Sequence, residues 1–282
     1  MAILSHFYKS CNFFYHISTL KLKNIKFISR ICKIEIKIVI MRAFNNLPIA
    51  VIDSGIGGLS VLDRLVKKFP FESFIYYGDN LFAPYGNKPL SFVKNRVFTI
   101  TETLYNRGIK GIVLACNTVS THFYKEIKNT FPFFVVPTVP PILSGNGVYL
   151  ACTSNTASSN FVKTNYSGRV ISFPCLAKTI EDNVFNLDSF NVLPYFSKLD
   201  KKVSVLVLGC THYSFIKNNI HSALGITTVD GYDTILRKVD YHLSNNNAYS
   251  NTTQKITFVG EAKSFNKKVF ERVFCHVGGH KT

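Results

Sequence analysis

The chain has 282 residues, 46% of them hydrophobic, with a formal net charge of +17; this is ample material for a buried core and suits one large domain or two of ordinary size. No apolar run approaches the roughly 18 residues that a membrane span requires, because Lys, Asn and Ser interrupt every candidate, so a soluble protein with no membrane partner is expected. The basic residues beyond position 46 are scattered, with no dense run and no RNA-binding signature of basic and aromatic residues together, so a solvated surface and no nucleic-acid partner are expected.

Residues 1–46 differ in texture from the rest. They lack Gly and Pro and hold eight basic residues against Glu35, so +7 of the charge lies there. The stretch "IEIKIVI" is too short and too charged for a secretory signal. Met41 stands just before "LPIAVIDSGIGG", and the simplest reading treats 1–46 as an extension with the functional chain starting at Met41; a basic amphipathic arm is the rival. The seven cysteines, Cys11, Cys32, Cys116, Cys152, Cys175, Cys210 and Cys275, form an odd set with no C-x-x-C pair. They read as reduced thiols in a cytoplasmic protein, and no metal site is expected.

From residue 47 the chain alternates short β-rich runs, "PIAVID", "SFIYYGD", "GIVLAC", "FFVVPTV", "GVYLACT", "VSVLVLGC" and "KITFVG", with stretches of helical length such as "LSVLDRLVKKF" and "VKNRVFTITETLYNRG". Continuous Val/Ile/Leu strands separated by helices predict an α/β fold with mainly parallel sheets buried on both faces. In such sheets function gathers at strand C-termini. Those ends here carry Asp53, Asp79, Cys116, Thr153 and Cys210.

Two strand ends resemble each other. "GIVLACNTVSTHF" (111–123) and "VLVLGCTHYSFI" (205–216) each run from an apolar strand through a small residue to a cysteine, a Thr and an expected helix start, and the cysteines lie 94 positions apart. This weak repeat predicts two α/β lobes, each presenting a thiol to a shared cleft. A free cysteine is often only a small buried hydrophobe, which is the reading for Cys152 and Cys275, but a matched pair followed by polar groups points to chemistry. Thiolates stabilised by helix N-termini or charged neighbours act as bases. Two on opposite faces of a carbon could remove a proton from one side and return one to the other, with Asp53 and His212 as ionisable helpers.

The opening "IAVIDSGIGGLSVL" imitates a dinucleotide loop. Gly55, Gly57 and Ser60 give G-x-G-x-x-S after a strand, and Asp79 falls where a ribose-binding acid would stand. The alternative of a dinucleotide-binding oxidoreductase rests on this loop. Against it, Ser60 occupies the third position and Asp53 puts a carboxylate where a pyrophosphate would be repelled. Gly57 and Gly58 suit the backbone approach of a small anion such as an amino-acid carboxylate.

Taken together, "DSGIGG", "GDNLFAPYG", "ACNT" and "GCTHY", in that order and at that spacing, resemble glutamate racemase, of the cofactor-independent aspartate/glutamate racemase superfamily. The resemblance covers roughly 47–282. "CTSNTASS" (152–159) is similar to the family's substrate loop, and "ITFVGEAKSFNKKVFERVF" to its closing strand and helix. It implies two similar lobes, 47–140 plus 240–282 and 141–239, with the active site in the cleft between them. It implies Cys116 and Cys210 as the acid–base pair, assisted by Asp53 and His212. Substrate contacts are implied at Asp53, Ser54, Tyr85, Gly86, Asn117, Thr118, Thr153, Thr156, Thr211 and His212. The implied reaction interconverts L- and D-glutamate for peptidoglycan synthesis without a cofactor or metal, and a homodimer is compatible with it. Aspartate or a hydantoin is the alternative substrate within the superfamily. Phe82 stands where many relatives have a basic residue, and Ser214 where Pro is common.

Structural roles are expected for Tyr76, Tyr77, His122 and Cys175, the last in the core. His276 and His280 belong to a tail expected to be mobile.

Overall fold

A computed structural model describes residues 43–166, 169–196, 199–200 and 202–275. The extension 1–46 therefore lies almost wholly outside the described residues, together with Cys11, Cys32, Met41, His276 and His280. Asn45 and Asn46 are described and belong with the folded chain: Lys110 Nζ donates to Asn45 O at 2.6 Å and Ser250 Oγ to Asn46 Oδ1 at 3.1 Å.

Among the described residues nine strands form two sheets, and every pairing in them is parallel. The first holds β1 (Ile49–Asp53), β2 (Phe74–Gly78), β3 (Gly111–Leu114), β4 (Phe134–Pro137) and β9 (Ile256–Val259), in the order β4-β3-β1-β2-β9. The second holds β5 (Val148–Cys152), β6 (Val170–Ser172), β7 (Val205–Gly209) and β8 (Thr227–Val229), in the order β6-β5-β7-β8. Parallel neighbours need long crossovers, and the helices supply them. Edge strands β6 and β8 did not stand out in the sequence. Each has three residues, none fully buried, so neither carries the apolar run that marks the central strands.

β1 shows how the first sheet is filled on both faces. Ile49 and Val51 join one cluster with Leu59, Leu62 and Leu65 of the helix Leu59–Lys68, and Ala50 and Ile52 join another with Val93, Val97 and Ile100 of the helix Leu90–Asn106. The two-residue period of a strand sends alternate side chains to opposite faces, so a strand sandwiched between helices must be apolar throughout. All five β1 residues are buried, including Asp53 at the C-terminal end. The helix Tyr232–Asn245 runs through the expected boundary at 239/240. Its Tyr232, Ile235, Val239 and Leu243 pack in the first sheet's cluster, so the chain returns to the first sheet with the start of this helix.

A buried ion pair secures the return. Lys110 Nζ lies 2.5 Å from Glu72 and donates to Ala248 O at 2.8 Å, while Glu72 Oε1 accepts from the Ser250 backbone N–H at 2.8 Å. Both side chains are almost wholly enclosed. Removing one partner strands the other charge in the core, whereas replacing both with apolar groups does not. Lys110→Met is expected to lower stability by about 3–5 kcal/mol, and Glu72→Leu/Lys110→Met to recover most of it. Urea denaturation of the two variants beside the unsubstituted protein measures this directly.

Candidate active site

The site forms where the C-terminal ends of β1, β3, β5 and β7 converge. Cys116, Asn117 and Thr118 come from β3 and the first turn of the helix Asn117–Thr130, with Ser54 from the loop after β1. Gly209, Cys210, Thr211 and His212 come from β7 and the turn after it, and Thr153 and Thr156 from the end of β5 and the short helix Ser154–Ser158. These residues line one narrow cleft, closed on a further side by Pro84 and Gly86.

Both thiols face this cleft and both are buried. Cys116 Sγ contacts Ser54 Oγ at 4.0 Å, and the residue stands at the N-cap of the helix Asn117–Thr130. Burial pushes its pKa up to about 12, with the negative charge of Asp53 adding to the rise and the Val119 N–H opposing it. The helix N-terminus expected to stabilise its thiolate is outweighed by desolvation, so at rest Cys116 is a thiol. Cys210 opens a 3-10 turn, Thr211–Ile216, where an α-helix was expected; the α-helix begins only at Lys217. The tighter winding is accompanied by close approach of the ring at i+2 to the sulfur. His212 Nδ1 lies 3.9 Å from Cys210 Sγ.

The carboxylates behind the thiols set the electrostatics. Asp53 is fully buried behind the cleft wall; Oδ1 accepts from Gly55 N–H at 2.9 Å and Oδ2 from the Thr211 hydroxyl at 3.1 Å. Burial raises its pKa, and the positive charge of His212 works the other way. On the far side of His212, Nε2 meets Glu181 Oε2 at 2.7 Å. Desolvation alone would drive a proton off this enclosed ring. The hydrogen bonds and charges of Cys210 and Glu181 overcome it and hold His212 well above the ordinary histidine range.

Glu181 is the site residue the sequence reading missed. It sits in "LAKTIED", within the helix Leu176–Asp182, with no motif around it. The one trace it leaves is a glycine on the opposite lobe: a Cβ on Gly55 would stand 2.1 Å from Glu181 Oε2, and one on Gly57 2.4 Å from Thr211 Oγ1 and 2.6 Å from His212 Nδ1. The glycine loop is thus packed beneath the second lobe's acid and base. The space a pyrophosphate would need over Gly55 and Gly57 is filled, and by a carboxylate. Asp79, the supposed ribose ligand, is paired with Arg96 and accepts from Tyr85 Oη. These contacts remove the basis for the dinucleotide reading.

The remaining expected residues divide in two. Thr118, Thr153 and Thr156 form a closed ring of hydroxyls with oxygens 3.1–3.3 Å apart, drawn from both lobes. Asn117 lines the cleft with its amide nitrogen committed to Thr138 O at 3.0 Å. Tyr85 does not line the cleft; its hydroxyl is held by Asp79, and its carbonyl, with that of Lys88, accepts from Asn155 across the lobes. Phe82 lies under the Arg96 guanidinium at 4.5 Å, so a cation occupies that corner despite the aromatic residue. Ser214 accepts from Tyr232 Oη at 2.8 Å, the same hydroxyl that contacts Ser60 at 2.6 Å.

Several structural expectations hold and two change. Tyr76 is buried and donates to Gly55 O at 2.6 Å, and His122 Nε2 contacts Asn155 O at 2.7 Å. Cys152 is buried, but Cys175 and Cys275 are exposed. Cys175 stands at the solvent-facing start of the helix Leu176–Asp182 and Cys275 just past the end of Lys263–Val273, where neither side chain reaches a core. Among the described residues no cluster of three or more His, Cys, Asp or Glu is placed to hold a metal, and no helix is long and apolar enough to cross a membrane.

Comparison with known proteins gives a consistent result. The chain is 35% identical over 206 residues to glutamate racemase of Clostridium novyi, covering 80% of that protein and 66% of this chain. It is 32% identical over 253 residues to that of Clostridium perfringens, covering 95% of it and 80% of this chain. Among solved structures, glutamate racemase from Thermus thermophilus in complex with beta-chloro-D-alanine superposes with a TM-score of 0.68 at 28% identity, covering 81% of this chain and 93% of that one. The Escherichia coli enzyme in complex with L-glutamate and the activator UDP-MurNAc-Ala gives 0.68 at 26% identity, covering 82% and 96%. No family model matches the chain.

The burial of Cys116 has a direct chemical consequence. Alkylation proceeds through the thiolate, so at pH 8 iodoacetamide should label exposed Cys175 much faster than Cys116, and the Cys116 rate should keep climbing with pH up to the limit of folding. Peptide mass spectrometry across a pH series reads both rates.

Proposed function

This chain belongs to the glutamate racemase family, and from that premise we propose that it interconverts L- and D-glutamate by a two-thiol mechanism, with Cys116 and Cys210 as the acid–base pair. The observation that carries the reading is the pair of buried thiols delivered by β3 and β7 to one cleft, each backed by its own ionisable groups. One cysteine, as thiolate, takes the α-proton. The other, as thiol, delivers a proton to the opposite face. The stereocentre inverts, and the two sulfurs exchange protonation states.

Their surroundings are unlike. Cys116 rests protonated beside Ser54 and Asp53, while Cys210 has the His212 imidazole for its neighbour. Glu181 keeps that imidazole charged. For substrate binding, the threonine ring offers three hydroxyls that can turn from one another onto an anion. Asn117, with one amide hydrogen committed, has its side-chain carbonyl for an ammonium. The β1 loop and Thr211 join them from either side. We place the enzyme in the cytoplasm, where free thiols persist, and assign its product to peptidoglycan synthesis; the five described cysteines are all free.

Purified protein with no added cofactor should racemise either enantiomer of glutamate, incorporate solvent deuterium at the α-carbon, and act far more slowly on L-aspartate or a hydantoin. Cys116→Ser and Cys210→Ser should each lower kcat/KM by at least about 100-fold, since a serine hydroxyl is too weak an acid to replace either thiol. Circular dichroism of reaction mixtures follows the racemisation and loss of the α-proton NMR signal in deuterium oxide follows the exchange, and undiminished racemisation by either variant would sink the two-thiol assignment.

A further inference from the structure

The Glu181 carboxylate is not held by its own helix alone. Oε1 accepts from Asn80 Nδ2 at 2.6 Å, and Asn80 Oδ1 in turn accepts from Asn266 Nδ2 at 2.8 Å. Asn80 lies in the turn after β2 and Asn266 in the helix Lys263–Val273, so three amide and carboxylate groups from both lobes form one line that ends on the His212 ring. We propose that Asn80 and Asn266 are positioning residues: the chain Asn266–Asn80–Glu181 fixes the carboxylate against His212 and so keeps a proton beside Cys210.

The polarity of the chain supports this. An amide both accepts and donates, and the direction it presents is set by its partners. Asn266 donates to the carbonyl end of Asn80, which leaves the amino end of Asn80 facing Glu181. With Oε1 committed there, Oε2 is left to the His212 ring and the more distant Ile56 N–H at 3.5 Å. Asn266 is fully buried, on a helix face otherwise occupied by Val269 and Phe270, and its Oδ1 has no partner. An apolar side chain of the same shape would avoid that cost, so the donor end is what the position exploits. Gly78 leaves the space: a Cβ there would stand 2.8 Å from Asn266 Nδ2 and 2.9 Å from Asn80 Oδ1.

Glu181 also has somewhere else to go. It borders a second cavity, lined in addition by Asn80, Ala83, Lys178, Asp182 and Phe265. Lys178 is paired there with Asp182 in the exposed rim of the same helix. Without Asn80 the carboxylate is free to rotate toward the cavity and Lys178. His212 would then keep Asp53 and Cys210 as neighbours but lose the group on Nε2, and the ring, which burial pushes toward its neutral form, would release its proton at lower pH.

The proposal rests on the racemase reading for its catalytic meaning, but its test does not. In the full chain, 15N NMR of the His212 imidazole, assigned with His212→Asn, should show proton loss about one pH unit lower in Asn80→Ala and Asn266→Leu, the scale of one lost charged hydrogen bond. The imidazolium is present below its pKa and disappears as pH rises through it, so the alkaline limb of kcat/KM should move down by the same amount. Asn80→Leu, which keeps the size but loses the donor, should act like Asn80→Ala. In a Glu181→Gln background neither change should shift the titration further. An unshifted His212 titration, or effects that add to Glu181→Gln, would overturn the proposal. Failure to racemise glutamate with the NMR shifts intact would instead indict the substrate assignment.

Discussion

The contact on which this site depends is the one between Glu181 and His212, a carboxylate from one lobe's second sheet system meeting a ring that burial alone would neutralise. A buried histidine carries charge only when a fixed anion offsets its desolvation. The requirement propagates outward. Gly55 must lack a side chain because the carboxylate lies against it, Gly57 because Thr211 and His212 lie against that residue, and the 3-10 turn after β7 keeps the ring beside Cys210. The glycine loop that looks like a nucleotide cradle is the mould of the opposite lobe's acid and base.

This constraint explains the unequal settings of the two cysteines. Both end central parallel strands, and both sit where strand C-termini meet a cleft. Yet Cys116 has for neighbours an uncharged hydroxyl and a buried carboxylate, and Cys210 an imidazole. The matched sequence pattern gives the two thiols similar positions, while their partners come from non-matching places. Asp53 leaves β1, and Glu181 leaves a helix between β6 and β7.

What the sequence disclosed follows the same division. Apolar strands buried on both faces announce themselves, so β1, β3, β5 and β7 and the residues at their ends were legible. Cys116, Asn117, Thr118, Cys210, Thr211 and His212 follow those strand ends and line the cleft. Edge strands β6 and β8 were not, because three half-exposed residues carry no period. Glu181, Asn80 and Asn266 act through side-chain ends that meet only in the folded chain, across separations of 101 and 186 positions. Tyr85 was legible as a motif residue, but its motif neighbour Asp79, not the cleft, holds its hydroxyl. Cys175 misled because "SFPCLAKTIE" reads as apolar, although the cysteine precedes the first buried turn of its helix.

The polar content of the interior supports one further step. A buried carboxylate or imidazole is costly unless its partners are fixed, and a fixed partner is most secure when it comes from an element the group does not belong to. Here Asp53 is held by Thr211, Glu181 by Asn80 and Ile56, and Asn155 by the carbonyls of Tyr85 and Lys88, every one a bond between lobes. The groups that set the charge of the site are therefore also those that join its halves.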